Sequence, residues 1–252
     1  MLEFRNVSVS VQRTSLLSDM TVNFQKGQIT TVIGPNGCGK TTLLQCLNGV
    51  SHVTSGTIML EGEDFLKLAP KERAKRLAFL PQVRTVIPAI PVRTLVEHGR
   101  FPYLGFARRK TSQDVEIVQK AMELAGVSEY AEQYVDTLSG GIRQRVFFAM
   151  ILAQDCDYIV LDEPVTYLDM QGQREFLKLM ELMRRQNKTI IFVLHDLQQA
   201  LRISDKIVVM KDRKIIAAAT PEECMKQHVI EEVFQTKCKR FADSEGEYYL
   251  FL

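Results

Sequence analysis

The segment Gly34-Pro35-Asn36-Gly37-Cys38-Gly39-Lys40-Thr41 constrains the fold of this chain more than any other. It fits G-x-x-x-x-G-K-[ST] at every position, follows a predicted strand at 29–33, and opens a stretch of helical character from Thr41 to about residue 50. A glycine-rich turn between a strand and a helix is a phosphate cradle. Glycines let successive backbone N–H groups converge on phosphate oxygens, and the positive end of the following helix adds to the field there. Lys40 supplies a mobile point charge for β- and γ-phosphates, and the Thr41 hydroxyl can ligate Mg²⁺. The competing reading, an ordinary glycine turn with a nearby lysine, is the weaker one. The segment therefore predicts binding of a nucleoside triphosphate, with Gly34, Asn36, Gly37, Cys38, Gly39, Lys40, Thr41 and Thr42 as candidate contacts. Cys38, among converging N–H groups and next to Lys40, is expected to favour a thiolate whose alkylation blocks nucleotide binding, unless it is an inert small filler.

The flanking pattern supplies the scaffold. Val7, Val9 and Val11 alternate with polar residues, as do Met20, Val22 and Phe24, in the manner of half-buried strands. Apolar runs at 158–161 and 190–194 are each followed by polar or acidic residues and then a helical pattern. Strands alternating with helices predict an α/β fold with a mostly parallel sheet. Residues 84–136 differ: Pro88, Pro91 and Pro102 precede a helical stretch at 112–125, which reads as a helical insertion between two parts of the sheet domain. Basic clusters at 71–76 and 107–110 are better read as solvated faces than as anion sites.

Composition removes several classes. The 252 residues carry 32 Lys+Arg against 30 Asp+Glu, a net charge of +2, so the basic footprint of a nucleic-acid binder is missing and no nucleic-acid partner is expected. The longest apolar run, 146–153, has eight residues where a spanning helix needs about 18. The N-terminus lacks the basic-then-apolar pattern of a secretion signal, so neither a span nor export by that route is expected. Five cysteines with no C-x-x-C pair fit neither a disulfide framework nor a zinc site, and reduced cytosolic thiols are the simplest reading.

A phosphate loop needs a second acidic group for its metal, normally at the end of a neighbouring apolar strand. Tyr158-Ile159-Val160-Leu161-Asp162-Glu163 supplies one. Asp162 is placed for Mg²⁺, directly or through water, and Glu163 to polarise the attacking water as general base. A helix N-terminal cap is the competing reading of this pair. His195 follows the run 190–194, and parallel-sheet logic brings it to the same edge as Asp162.

Leu138-Ser139-Gly140-Gly141 stands immediately before a helical stretch ending at Ala153. A Ser hydroxyl and two glycine amides at a helix N-terminus form a second anion site. This tetrapeptide resembles the signature of the ATP-binding cassette (ABC) ATPases, and the resemblance covers nearly the whole chain. It implies a P-loop NTPase with a mostly parallel core sheet, an N-terminal antiparallel β subdomain and an inserted helical subdomain. The catalytic core is expected at 1–83 and 137–252, and the permease-contacting helical subdomain at 84–136. The resemblance also implies two copies, or this chain and a homologous ATPase, packed head to tail around two MgATP. Ser139, Gly140 and Gly141 of one copy then close on the γ-phosphate held by the other. Gln82 matches the glutamine that touches metal and water, Asp169 the loop that reaches across the dimer, and His195 the switch histidine at the γ-phosphate. The implied activity is ATP hydrolysis at the cytoplasmic face of the membrane, driving permease subunits.

Gly99-Arg100-Phe101-Pro102-Tyr103-Leu104-Gly105 is similar to a segment of ATPases serving iron-siderophore, haem and cobalamin importers, which work with an extracytoplasmic substrate-binding protein. The alternatives are an exporter ATPase and a soluble ABC ATPase unconnected with transport. Ile142 stands where the signature usually carries Gln or Glu, and Val165 replaces a common Thr. Val11 is the counterpart of an aromatic residue that stacks on adenine, so base stacking is expected to be weak.

Overall fold

The computed structural model describes all residues except 13, 83–86, 106–108 and 244–245, with backbone alone at 242, 243 and 246–248. The expected start of the helical insertion and residues 107–108 of the second basic cluster lie outside the described residues. Two compact units make up the chain, Met1–Leu66 with Thr189–Leu252, and Lys67–Lys188.

In the first unit β1 (Leu2–Val11) runs antiparallel to β2 (Thr14–Phe24). Leu2, Phe4, Val7 and Val9 are buried. Their spacing lengthens from two to three between Phe4 and Val7, where the register shifts. Asn6 and Asp19 both take a φ of 53° there, and Asn6 Nδ2 donates to Asp19 Oδ1 at 2.8 Å. This β-bulge returns the following side chains to the inward face. β3 (Ile29–Ile33) is buried at all five positions. The helix expected from Thr41 is α1 (Lys40–Asn48), stopped by Gly49 in the left-handed region at φ 80°. β4 (Val53–Leu60) pairs antiparallel with β1, and β5 (Glu63–Asp64) completes the order β2-β1-β4-β5. These four strands are the N-terminal antiparallel subdomain.

The second unit begins with α2 (Pro70–Arg76), which leads into β6 (Leu77–Leu80). Then follow α3 (Val92–Glu97), a 3₁₀ segment at His98–Tyr103, and α4 (Ser112–Leu124). A reciprocal capping box between Thr111 and Asp114 fixes the start of α4. α5 (Gly140–Ala153) carries buried Val146, Phe147, Phe148, Ala149 and Ile151. An apolar surface on all sides is that of a core helix. β7 (Tyr158–Asp162) lies parallel to β6 with Leu161 opposite Leu80, and α6 (Met170–Arg185) ends the unit.

The chain then returns to the first unit as β8 (Thr189–Val193), α7 (Leu197–Ile203), β9 (Lys206–Lys211) and β10 (Lys214–Ala219). β3 sits between β8 and β9, parallel to both, and β10 is antiparallel to β9. The Asp205 carboxylate accepts from the Ile29 N–H at 2.8 Å and Thr189 Oγ1 from Gly27 N–H at 3.0 Å, pinning the entry to β3. Two short helices, α8 (Pro221–Lys226) and α9 (Val229–Phe234), and the pair β11 (Cys238–Asp243) and β12 (Gly246–Phe251) close the chain. The fold is α/β with a mostly parallel core and an antiparallel N-terminal sheet. Among the described residues, no helix is long and apolar enough to cross a membrane.

Candidate functional site

The glycine-rich loop leaves the C-terminal end of β3 and folds over its own lysine. Lys40 is 6% exposed, and its Nζ donates to the carbonyls of Gly34 at 2.8 Å and Pro35 at 3.1 Å. Gly34 cannot be replaced without movement, because a Cβ there would stand 2.2 Å from the carbonyl oxygen of Met210 in β9. Gly39 takes φ 104° just before α1, a backbone state that L side chains rarely adopt. Thr41 and Thr42 are half-buried in the first turn of α1, while Asn36 and Gly37 are exposed. The outer face of the loop fronts an open cavity of about 740 Å³. Asp212 and Arg213 of the turn between β9 and β10 line it too, as does the end of α9. Little in the sequence marks that neighbourhood, since Asp212-Arg213 adopts left-handed φ values of 48° and 64° without a glycine to signal the turn.

Cys38 does not behave as expected. It is 4% exposed, and burial pushes its thiol above the ordinary value. The Lys40 charge and the backbone N–H groups of Lys40 and Cys38 pull the other way and are outweighed, so the thiol and not the thiolate is favoured. Burial therefore speaks for the small-filler alternative over the thiolate.

Val193 is opposite Val32 in the parallel register of β8 and β3. His195, two residues after Val193, and Gly34, two after Val32, therefore leave the same end of the sheet. His195 is exposed. The adjacent Asp196 plays a structural part, because its Oδ1 accepts from the N–H groups of Gln198 at 2.9 Å and Gln199 at 3.1 Å and so caps α7.

The second unit repeats this logic. Leu161 lies opposite Leu80, so Glu163 and Gln82, each two residues further on, share a strand end. Gln82 Nε2 donates to Glu163 Oε2 at 2.6 Å. Asp162 is 2% exposed at the end of β7. Glu163 takes a left-handed φ of 50°, a sparsely populated state for a non-glycine residue and one found at functional turns. Neither carboxylate caps a helix: α6 begins at Met170 and its cap is Asp169, whose Oδ1 accepts from Gly172 N–H at 2.7 Å. Ser139 caps α5, its Oγ accepting from Ile142 N–H at 3.5 Å, and Ser139 and Gly140 are exposed. Gln144, which no motif marks, is buried in the second turn of α5 and donates to the Pro164 carbonyl at 2.6 Å. It ties the start of that helix to the segment after Glu163. Val11, at the end of β1, is 57% exposed.

A glycine cradle closed on a lysine at the end of a central parallel strand defines a P-loop protein. The family model described as ABC transporter matches residues 17–166, and the chain belongs to that family. It is 40% identical over 243 residues to the petrobactin import ATP-binding protein FpuD of Bacillus anthracis, covering 96% of this chain and 89% of that one. It is 38% identical over 238 residues to the ferric enterobactin transport ATP-binding protein FepC of Escherichia coli, covering 94% and 88%. Among solved structures, the ATP-binding cassette MJ0796, a dimer in a post-hydrolysis state with ADP and Pi, shares the fold. Its TM-score is 0.78 at 24% identity, over 88% of this chain and 99% of that one.

Proposed function

We propose that this chain is the ATP-hydrolysing subunit of an importer for an iron-siderophore or a related metal chelate. The observation that carries the reading is likeness along nearly the full length to import ATP-binding proteins, with every residue of the lysine-closed phosphate loop in place. Two copies close head to tail around two ATP molecules. Lys40 exchanges its carbonyl partners for β- and γ-phosphate oxygens, and the loop N–H groups take the remaining oxygens. Thr41, Asp162 and Gln82 would hold Mg²⁺: one hydroxyl, one buried carboxylate and one amide suit an ion that keeps waters and phosphate oxygens among its ligands. Held there, the ion would supply neutralisation of phosphate charge.

Glu163 accepts a proton from the attacking water, and Gln82, already hydrogen-bonded to that carboxylate, orients it. His195 contacts the γ-phosphate. Ser139, Gly140 and Gly141 of the second copy close on the same phosphate, and Asp169 lies at the junction of the copies. ATP binds the closed pair better than the open pair, so binding and hydrolysis drive the attached permease between its two faces. The subunit sits peripherally at the cytoplasmic face of the membrane, and an extracytoplasmic binding protein delivers the chelate. The test is reconstitution of the chain with a cognate permease in proteoliposomes. ATP-dependent accumulation of a ferric hydroxamate, a ferric catecholate or cobalamin is expected with the matching binding protein. Outward movement, or no co-purifying permease, would overturn the importer reading.

A further inference from the structure

Among the described residues, four charged side chains are buried: Lys40, Asp162, Arg100 and Asp114. Nucleotide chemistry employs the first two and makes no use of the Arg100–Asp114 pair. Arg100 Nε donates to Asp114 Oδ1 at 2.9 Å, and Arg100 Nη1 donates to the carbonyl of Ala153 at 2.9 Å. Its guanidinium lies 4.0 Å from the centre of the Tyr103 ring, and the Tyr103 hydroxyl donates to the Gln154 carbonyl at 2.9 Å. Ala153 is the last residue of α5 and Gln154 its cap. Two carbonyls at the C-terminus of α5, where the helix dipole favours a cation, are thus taken by side chains of the His98–Tyr103 segment. Asp114 is fixed in turn at the start of α4 by Thr111 N–H and Oγ, at 2.9 and 2.8 Å. No slack remains, since a Cβ on Gly99 would stand 2.3 Å from the Met150 carbonyl oxygen.

One guanidinium therefore joins the 98–103 segment, the start of α4 and the end of α5. At the other end of α5, about 21 Å away for fourteen residues, are Ser139 and Gly140. On the 98–103 segment, Phe101 is 50% and Tyr103 36% exposed. A buried ion pair is weak evidence for stability, because apolar replacement of both partners is often neutral. Its geometry here serves rigidity.

We propose that Arg100 is a positioning residue: it welds the His98–Tyr103 segment to the C-terminal end of α5, so that a partner pressing on Phe101 and Tyr103 moves Ser139–Gly141 as part of the same rigid body. The inference rests on the importer reading, in which that partner is the permease. Gln144, bonded to the Pro164 carbonyl, holds the start of α5 independently, so hydrolysis by the free subunit does not need the weld.

The experiment compares wild type, the apolar double variant R100M/D114L, R100K and Y103F, each free and in complex with the permease. ATP turnover, KM for ATP and Tm are measured for all. The double variant removes both charges together and should fold. Its free-subunit turnover and KM are expected to stay within about twofold of wild type, while permease-dependent stimulation falls about tenfold, inside the usual range of coupling energies. R100K keeps the charge but loses the planar fork, and should fall between the two. Y103F removes one hydroxyl and should lower stimulation a few-fold at unchanged KM; it stands as the test if the double variant does not fold. Full stimulation in the folded double variant, or in Y103F, would overturn the weld. A wild-type chain that its permease does not stimulate would overturn the importer reading, and the weld with it.

Discussion

Alkylation of Cys38 gives a sharp test of how burial and charge compete inside the phosphate loop. The ordinary thiol value is 9.0, and burial raises Cys38 above it despite the adjacent Lys40. With its thiol raised, Cys38 holds a smaller thiolate fraction at pH 7 than an unperturbed cysteine, so charge state alone slows its alkylation. Only 4% of the residue is exposed, which slows the reagent further. The measurement is the rate of iodoacetamide labelling at each cysteine from pH 6.5 to 10, followed by peptide mass spectrometry. Half-buried Cys238 should react before Cys38, although burial raises its thiol as well. The Cys38 rate should still be climbing at a pH where exposed, unperturbed thiols have levelled off. Asp212 contributes the weakest of the causes that raise Cys38, so Asp212→Asn should speed labelling only slightly. Cys38 labelled first at pH 7, or a rate that levels off below pH 8.5, would refute the dominance of burial and restore the thiolate.

Glu163→Gln should retain ATP binding, lower turnover by about 10² to 10⁴, and accumulate an ATP-dependent dimer on gel filtration; near-normal turnover would remove Glu163 from the general-base role. Gly34→Ala puts a methyl 2.2 Å from the Met210 carbonyl oxygen, so it should cost roughly 1–3 kcal/mol of stability and abolish ATP binding. Wild-type Tm and affinity in that variant would contradict the close approach. Val11→Tyr adds a ring at the exposed end of β1 and should tighten ATP binding by about 0.5–1.5 kcal/mol, read by calorimetry with GTP alongside. Asp114 is held below its usual 3.8, first by the Thr111 backbone N–H and further by Arg100. With the folded value depressed, its stabilisation is present above the unfolded value near pH 4 and is lost as pH falls through the folded one. Asp114→Asn should therefore flatten the acid limb of the stability profile, and an unchanged limb would count against the assignment.

What could be read from the chain divides along a physical line. The phosphate loop, the strand ending at Asp162 and the cap at Ser139 are local: residue types a few positions apart are enough, because the backbone itself brings them together. Parallel register extends this reach. Knowing that Leu80 faces Leu161 places Gln82 beside Glu163, although 81 residues separate them. Cys38 lies beyond that reach because its sign depends on exclusion of water by distant chain, whereas only the lowering side of the balance, the Lys40 charge and the loop N–H groups, is visible locally. The Thr111-x-x-Asp114 pattern announces the start of α4, but not that the same carboxylate also accepts from Arg100 fourteen residues upstream. Nor does any spacing show that this arginine ends on a carbonyl 53 residues downstream. Asp196 and Asp169 add the converse lesson. Asp196 follows a motif position and Asp169 occupies one, yet each already accepts hydrogen bonds as a helix cap. A carboxylate can cap with one oxygen and keep the other for a partner, so capping alone removes neither residue from function. For Asp169 the question is decided by Asp169→Asn, which preserves an acceptor for Gly172 N–H. If the dimer reading holds, the variant keeps its Tm within about 2 °C, as expected when one polar cap replaces another, while its ATP-dependent dimer weakens.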